Sequence, residues 1–193
     1  MSWIQTYTRK KFPLERPAPG DVWVEDIAHA LSMSCRFGGH TNRFYSVAEH
    51  CVLMAMYARS RHGLELAFEC LLHDADEAYL IDLPKPVKNL CPDYQKLEGS
   101  VRSAIVARFM LSLSDHTKAK VKELDNRILI TERDVLLGGA IEPWVNEPEP
   151  LPTLLPCWDW QTAKRKFLEM YAKLRHERIA ANPDNTHVHP PQI

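Results

Sequence analysis

Four residues of the chain could together bind a metal ion: His50, the adjacent pair His73–Asp74, and Asp125. Two imidazoles and two carboxylates make a mixed nitrogen and oxygen set, suited to Zn, Mn, Co or Fe rather than to a thiolate site. Four protein ligands on a metal that accepts five or six leave positions for water and substrate, which is a catalytic layout rather than a structural one. Taken singly, each residue has a more ordinary reading. Asp125 lies four residues after Val121 and three before Ile128, so it shares an apolar helix face. A carboxylate there needs a cation, and a core arginine would serve as well as a metal. His50 falls among Val47, Cys51 and Met54 and could be a hydrogen-bonded core histidine. What favours a metal is that three separate segments bring such groups to inward faces.

The elements that must position them follow from spacing. "SVAEHCVLMAMYARSRHG" predicts a helix, with Ser46 and Glu49 as a capping box and Gly63 as its stop. "LELAFECLLHDADEAY" predicts a second, with Leu64, Phe68, Leu71 and Leu72 apolar and local distortion at the His73–Asp74 pair; Pro84 and Pro86 end this region. "HTKAKVKELDNRILITERDVLL" carries Asp125 beside an apolar stripe of Val121, Leu124, Ile128 and Val135. Three further helices are expected: "GDVWVEDIAHALSM" capped by Asp26, "YQKLEGSVRSAIVARFML", and "TAKRKFLEMYAKLRHERI" with Phe167, Met170, Tyr171 and Leu174 inward.

Between them lie a Gly-Gly loop, "SCRFGGHTNRFY", carrying Arg36, His40 and Arg43, and a proline-dense loop of about fifteen residues, "IEPWVNEPEPLPTLLPCWDW". Residues 1–20, with Pro13, Pro17 and Pro19, read as an extended arm or short hairpin, and residues 182–193 as a frayed, flexible tail. No convincing alternating strand appears. The expectation is an all-α fold, one domain over 1–193 with its core in about 21–180.

A hydrophobic content of 45% and a charged content of 25% suit a chain able to bury such a core. The net charge of −1 argues against a partner made of polymeric nucleic acid. Five scattered cysteines without a C-x-x-C pair predict buried, reduced thiols and a cytoplasmic protein, or the host cytoplasm if the gene is viral. Neither a signal peptide nor a run of about 18 apolar residues is evident, so no membrane is expected. Five tryptophans in a small helical chain suggest apolar surface covered by a second copy, hence a homo-oligomer.

The segments "YSVAEHC", "LLHDADEAYLIDLPKPVK" and "KELDNRIL" resemble those of the HD-domain metal phosphohydrolases, whose ligand pattern is H…HD…D. Within that superfamily the chain is similar to the bacterial 5′-deoxynucleotidases and to the small, often phage-encoded, deoxynucleoside triphosphate triphosphohydrolases. The loop "CRFGGH" and the short distance from the HD pair to Asp125 favour the second group. The resemblance covers roughly residues 21–137.

The resemblance implies a single HD-domain bundle of about six to seven helices holding one divalent metal (Zn, Co or Mn), with an ion such as Mg accompanying the substrate phosphates. It implies hydrolysis at the 5′-phosphoester, with the metal polarising a phosphoryl oxygen and lowering the pKa of a water. It matches Glu77 to the acid/base carboxylate and Asp82 to a second carboxylate near the attacking water. Glu77, four residues after His73, is expected on the same helical face. Arg36 matches the position that contacts the substrate phosphate. His40, Arg43, Lys85 and Lys88 are further candidates for substrate binding, and Lys85, Lys88, Lys118 and Lys122 for the added charge of a triphosphate.

Phe37, where the deoxynucleotidases carry tryptophan, is expected against the sugar. A purine, dATP for example, could sit on Ile27, Phe37 and Trp144. Relatives forming dimers or larger rings such as hexamers are consistent with an oligomer. The leading expectation is cleavage of a dNTP to deoxynucleoside and triphosphate. The alternatives are a 5′-deoxynucleotidase acting on dNMPs, a hydrolase of another phosphoester, and a non-catalytic regulator that binds metal or nucleotide.

Overall fold

The computed structural model describes residues 2–142 and 146–182. The expected purine contact Trp144 and most of the expected tail lie outside the described residues. The chain opens with a β-hairpin, β1 (Trp3–Gln5) paired antiparallel with β2 (Lys11–Pro13), so of the two readings of this arm the hairpin is the one adopted. Phe12 anchors it, buried and stacked 3.8 Å from the ring of Tyr79.

Eight helices follow among the described residues, six of them of eight residues or more. They are α1 (Val24–Met33), α2 (Val47–Arg61), α3 (Leu64–Leu71), the single turns α4 (Glu77–Leu80) and α5 (Lys85–Lys88), α6 (Pro92–Phe109), α7 (Asp115–Glu132) and α8 (Trp160–Ala181). The expectation of an all-α fold holds, with the short hairpin added to it.

The interior is organised around α2, which packs against α1, α3, α7 and α8. Its first three turns are buried nearly all round: Val47, Ala48, Cys51, Val52, Met54, Ala55 and Ala58. Small residues dominate that set, and they let the surrounding helices come close. The neighbours show one apolar stripe each, Ile27, Ala28 and Leu31 on α1 and Ala163, Phe167, Tyr171 and Leu174 on α8. All of these belong to one contiguous cluster. Burying a large aliphatic or aromatic side chain contributes roughly 1.5–3 kcal/mol, so this cluster supplies the main stabilisation.

Helix ends are closed by side chains at the expected kinds of position. Ser46 accepts from the Glu49 N–H, Ser114 from the Thr117 N–H, and Asp159 from the Thr162 N–H. Gly63, at φ 101°, makes the left-handed break between α2 and α3.

Several expectations need correction. Asp26 does not cap α1, whose N-cap is Trp23. Asp26 is buried and instead accepts from the N–H and hydroxyl of Thr8, tying the hairpin to the helix. Glu49 completes only half of the capping box: its carboxylate turns away and accepts the backbone N–H groups of Cys157 and Trp158 at 2.7 and 2.6 Å. It thereby pins the end of the proline-rich loop to α2. Val135 is exposed, because α7 gives way after Glu132 to a π turn, Arg133–Leu137, which rotates it out of the stripe. Of the five thiols only Cys51 and Cys70 are buried, while Cys35, Cys91 and Cys157 are half-buried. Among the described residues no helix is long and apolar enough to cross a membrane.

Candidate metal centre

The distortion expected at the His73–Asp74 pair takes the form of a break after Leu71 in the run expected to be helical through Tyr79. Residues 72–76 form tight turns, in which the N–H groups of Leu72, Ala75 and Glu77 reach back three residues to Glu69, Leu72 and Asp74. A break exposes carbonyls that would have bonded within the helix, and buried carbonyls need partners. Arg102, on α6, supplies them: one guanidinium nitrogen donates to the carbonyls of Leu72 and His73 at 2.7 and 2.8 Å. Asp76 lies buried 3.7 Å from the same nitrogen, and burial lifts its pKa to about 6. The crowding of acids in this segment therefore divides into groups facing the centre and one group facing Arg102.

His50, from α2, and His73, from the turn, meet with their Nε2 atoms 3.2 Å apart. Asp74 Oδ2 lies 3.1 Å from His73 Nε2 and 3.6 Å from His50 Nε2. Ligand atoms of these three residues all fall within 4.8 Å of one another, so the group could hold a metal ion. Asp125 stands beside it rather than within it. Its Oδ1 is 3.4 Å from His50 Nε2, while its Oδ2 is held by Lys122 Nζ at 2.6 Å. The expected four-residue set is thus assembled as three converging ligands and one adjacent carboxylate.

The far ring nitrogens decide what the near ones can do. His50 Nδ1 lies 2.6 Å from Glu132 Oε1, and His73 Nδ1 lies 2.8 Å from the Cys70 carbonyl. Both partners only accept, so each Nδ1 carries a proton and each ring turns Nε2 inward, where it offers a lone pair whenever the ring is neutral. A second partner that fixes the tautomer in this way is the usual companion of a metal-binding histidine.

Two inward lone pairs with carboxylate oxygens around them repel one another unless a cation joins them. The titration directions express the same demand. Burial opposes charge on His73, but Asp74 and its other neighbours outweigh it and hold the pKa well above the ordinary value. His50 is raised too, with burial and Arg36 opposing and Glu132 and Asp125 prevailing. Burial would raise Asp74 and Asp125, yet the two imidazoles hold both below the usual carboxylate range. The donor set and its tautomers therefore fit a divalent cation.

The centre opens into a cleft of about 910 Å³ lined by Arg36, Phe37, Asp74, Glu77, Asp82 and Asp125, with Lys85, Lys88 and Lys122 at its sides. Glu77 is present, but not for the expected reason: it starts α4 instead of continuing the helix of His73. It is buried with Oε2 unpartnered, and burial followed by the charges of Asp74 and Asp82 pushes its pKa well up. Asp82 is also raised by burial, against the pull of Arg36.

Arg36 is delivered by a turn in which Phe37 and Gly38 are both left-handed, at φ 55° and 60°. The turn is closed at its base by the Arg36 N–H on the Tyr45 carbonyl. The Arg36 guanidinium bonds Glu132 through Nε at 2.9 Å and lies 3.6 Å from Asp74. Lys88 reaches into the cleft wall but is paired with Glu98 at 2.5 Å.

Other expected contacts are elsewhere. His40 and Arg43 are exposed and do not line the cleft, because the left-handed turn directs the chain beyond Phe37 outward. Ile27 is wholly buried in the core. Lys118 faces a different cleft.

Glu132 and Arg102 escaped the sequence reading. Glu132 is fully buried and bonds both His50 and Arg36. A signal existed, since it lies seven residues after Asp125, two turns further along the same helical face. For Arg102 no local signal exists.

No known family profile matches the chain. An uncharacterized protein of Rhodobacter capsulatus is 35% identical over 145 residues, 71% of this chain and 74% of its own length. Uncharacterized protein YfdR of Escherichia coli K12 is 41% identical over 133 residues, 69% of this chain and 71% of its own length. At that identity and coverage, the chain that builds this His–His–Asp centre belongs to the family of YfdR.

Proposed function

We propose that the chain is an HD-type, divalent-metal-dependent phosphohydrolase that cleaves the 5′-phosphoester of deoxynucleotides, releasing deoxynucleoside and intact triphosphate from a dNTP. The observation that carries this reading is the pairing of two tautomer-fixed histidines with Asp74 at the mouth of a cleft that also holds a buried, unpartnered carboxyl, Glu77. A structural metal site needs no such acid.

When bound, a divalent ion supplies Lewis-acid stabilisation of the phosphoryl charge and an activated water. The chain's own residues do the rest. His50, His73 and Asp74 would hold the ion, with Asp125 beside them as a fourth candidate ligand. Glu77, kept protonated by burial, donates its proton to the departing 5′ oxygen. Asp82 orients the water from the same wall. Arg36 offers the phosphate a cation whose position Glu132 fixes. Phe37 presents an apolar face to the sugar, which leaves a 2′-hydroxyl without a partner and disfavours ribose.

The test is product analysis. Purified chain loaded separately with Zn, Mn and Co is incubated with deoxy- and ribonucleoside mono-, di- and triphosphates, and products are resolved by anion exchange. Deoxynucleoside with intact triphosphate is expected. Deoxynucleoside and phosphate from monophosphates alone would instead make it a 5′-deoxynucleotidase. No turnover with any metal would reject both. Glu77→Gln should retain metal and lose turnover; unchanged behaviour would point to a binding protein.

A further inference from the structure

Behind the centre lies a second cleft, of about 870 Å³, between α3, α6 and α7. It meets the first at Asp74, Lys122 and Asp125, which line both. The proposed ion would therefore stand at a passage between two chambers.

Their charges differ. Beyond the shared residues, the first cleft has Glu77, Asp82, Glu98 and Glu147 against Arg36, Lys85 and Lys88. The second has only Glu69 against Arg102 and Lys118. Both sides are partly engaged, Glu69 accepting the Ser112 N–H and Arg102 donating to the Leu72 and His73 carbonyls. Lys122 stands at the divide with Nζ on Asp125. Ser103, Ser112 and Thr117 add hydroxyls, and the first turn of the 18-residue α7 faces the same space. The rest of the wall is apolar (Val106, Leu111 and Val121), which strengthens attraction between charges.

With Glu77 protonated, the first cleft sets three acids against three bases, whereas the second sets one acid against two, so a strongly anionic chain is favoured by the second. We infer that the second cleft is an oligophosphate subsite, receiving the β- and γ-phosphates of a nucleoside triphosphate whose nucleoside lies in the first. This rests on the phosphohydrolase reading for the identity of the substrate, not for the anion site itself. Glu77 and Asp82, to which proton handling is assigned, line only the first cleft, so the 5′ oxygen belongs on that side. In the reaction a water oxygen bonds to the α-phosphorus and the bond from that phosphorus to the 5′ oxygen breaks. The departing oxygen takes a proton, and the water's protons pass to solvent or carboxylate. The oligophosphate leaves in one piece on the opposite side from the nucleoside.

Inorganic triphosphate is the probe, titrated calorimetrically into the full Mn-loaded chain with excess Mg in the buffer. Lys118→Glu and Lys85→Glu, exposed residues confined to the second and first clefts respectively, are compared with the parent chain. The subsite predicts binding weakened about tenfold or more by Lys118→Glu, equivalent to about 1.4 kcal/mol, and much less by Lys85→Glu. Equal or greater loss with Lys85→Glu, or no binding by the parent chain, overturns it. Both variants should keep the parent's circular dichroism and melting temperature. Failure of the phosphohydrolase reading would register separately, as absence of turnover with every nucleotide while triphosphate binding still follows Lys118.

Discussion

His50 rides on α2, a helix unbroken over 15 residues, whereas His73 and Asp74 sit just where α3 has ended. The two regions deliver ligands to one point by different means. A single ligand needs only a helix face. Two consecutive ligands on a regular helix would diverge by about 100° around the axis, so they cannot both face one ion without a break. The supports differ accordingly. His50 is held by a side chain, Glu132, and His73 by a main-chain carbonyl, Cys70, with Arg102 satisfying the carbonyls that the break leaves open.

The largest effect expected is from removing either kind of ligand. Alanine at His50, His73 or Asp74 should abolish metal retained after dialysis, measured by plasma mass spectrometry. It should lower turnover roughly a thousandfold, in keeping with the several kcal/mol that a metal contributes to such a reaction. Retention of stoichiometric metal by any one of them would remove that residue from the centre.

Next comes the support of the helix-borne ligand. Glu132→Gln leaves the shape and lets the ring turn to the other tautomer, so metal affinity should weaken about 10–100-fold. A competition titration with a chelating dye would read this, and an unchanged affinity would mean that burial alone orients His50. The support of the turn-borne ligand is tested with Arg102→Met, which removes the Arg102 hydrogen bonds to the carbonyls of Leu72 and His73. Urea unfolding should show a loss of about 1–3 kcal/mol. If stability is untouched, the break holds itself together by other means.

The smallest effect is on the metal-free chain. Folded-state pKa values of His50 and His73 above the ordinary 6.5 mean that their contribution to stability is full below that value. It is lost as pH rises through the raised folded values. Asp74 and Asp125, depressed from 3.8, contribute in the opposite sense, and their share is lost as pH falls below that value. The melting temperature of chelator-treated protein should therefore fall on raising pH from about 6, and added metal should flatten that slope. A flat profile without metal would argue that the four groups do not share charge in the folded chain.

The two regions were also unequally legible in sequence. The helix carrying His50 was announced by Ser46, by its dense apolar run and by Gly63, all within a few residues of one another. The break after Leu71 is marked locally only by the adjacent His73–Asp74 pair, which implies distortion but not where the helix ends. Leu71, Leu72 and Ala75 continue a good helical pattern, and the group that bonds the carbonyls at the break, Arg102, is some 30 residues away in sequence. Glu132 lies 82 residues from His50, so its role too is set by tertiary contact. The candidate ligands themselves were readable because histidines and acids on apolar faces are costly to bury without purpose. The cleft contacts were read less well. His40 and Arg43 share one loop with Arg36 in the sequence, and a pair of left-handed residues separates them from it in space.

Glu49 has a further consequence, in the language of exchange with solvent. The amides of Cys157 and Trp158 belong to an irregular loop, where backbone protons ordinarily trade with water quickly. Here both point at a fully buried carboxylate on the residue next to His50. Their protons can leave only when the loop lifts from the start of α2. These two loop amides should therefore exchange in deuterium oxide more slowly than the rest of the loop, reporting how firmly it is held to the metal-bearing helix.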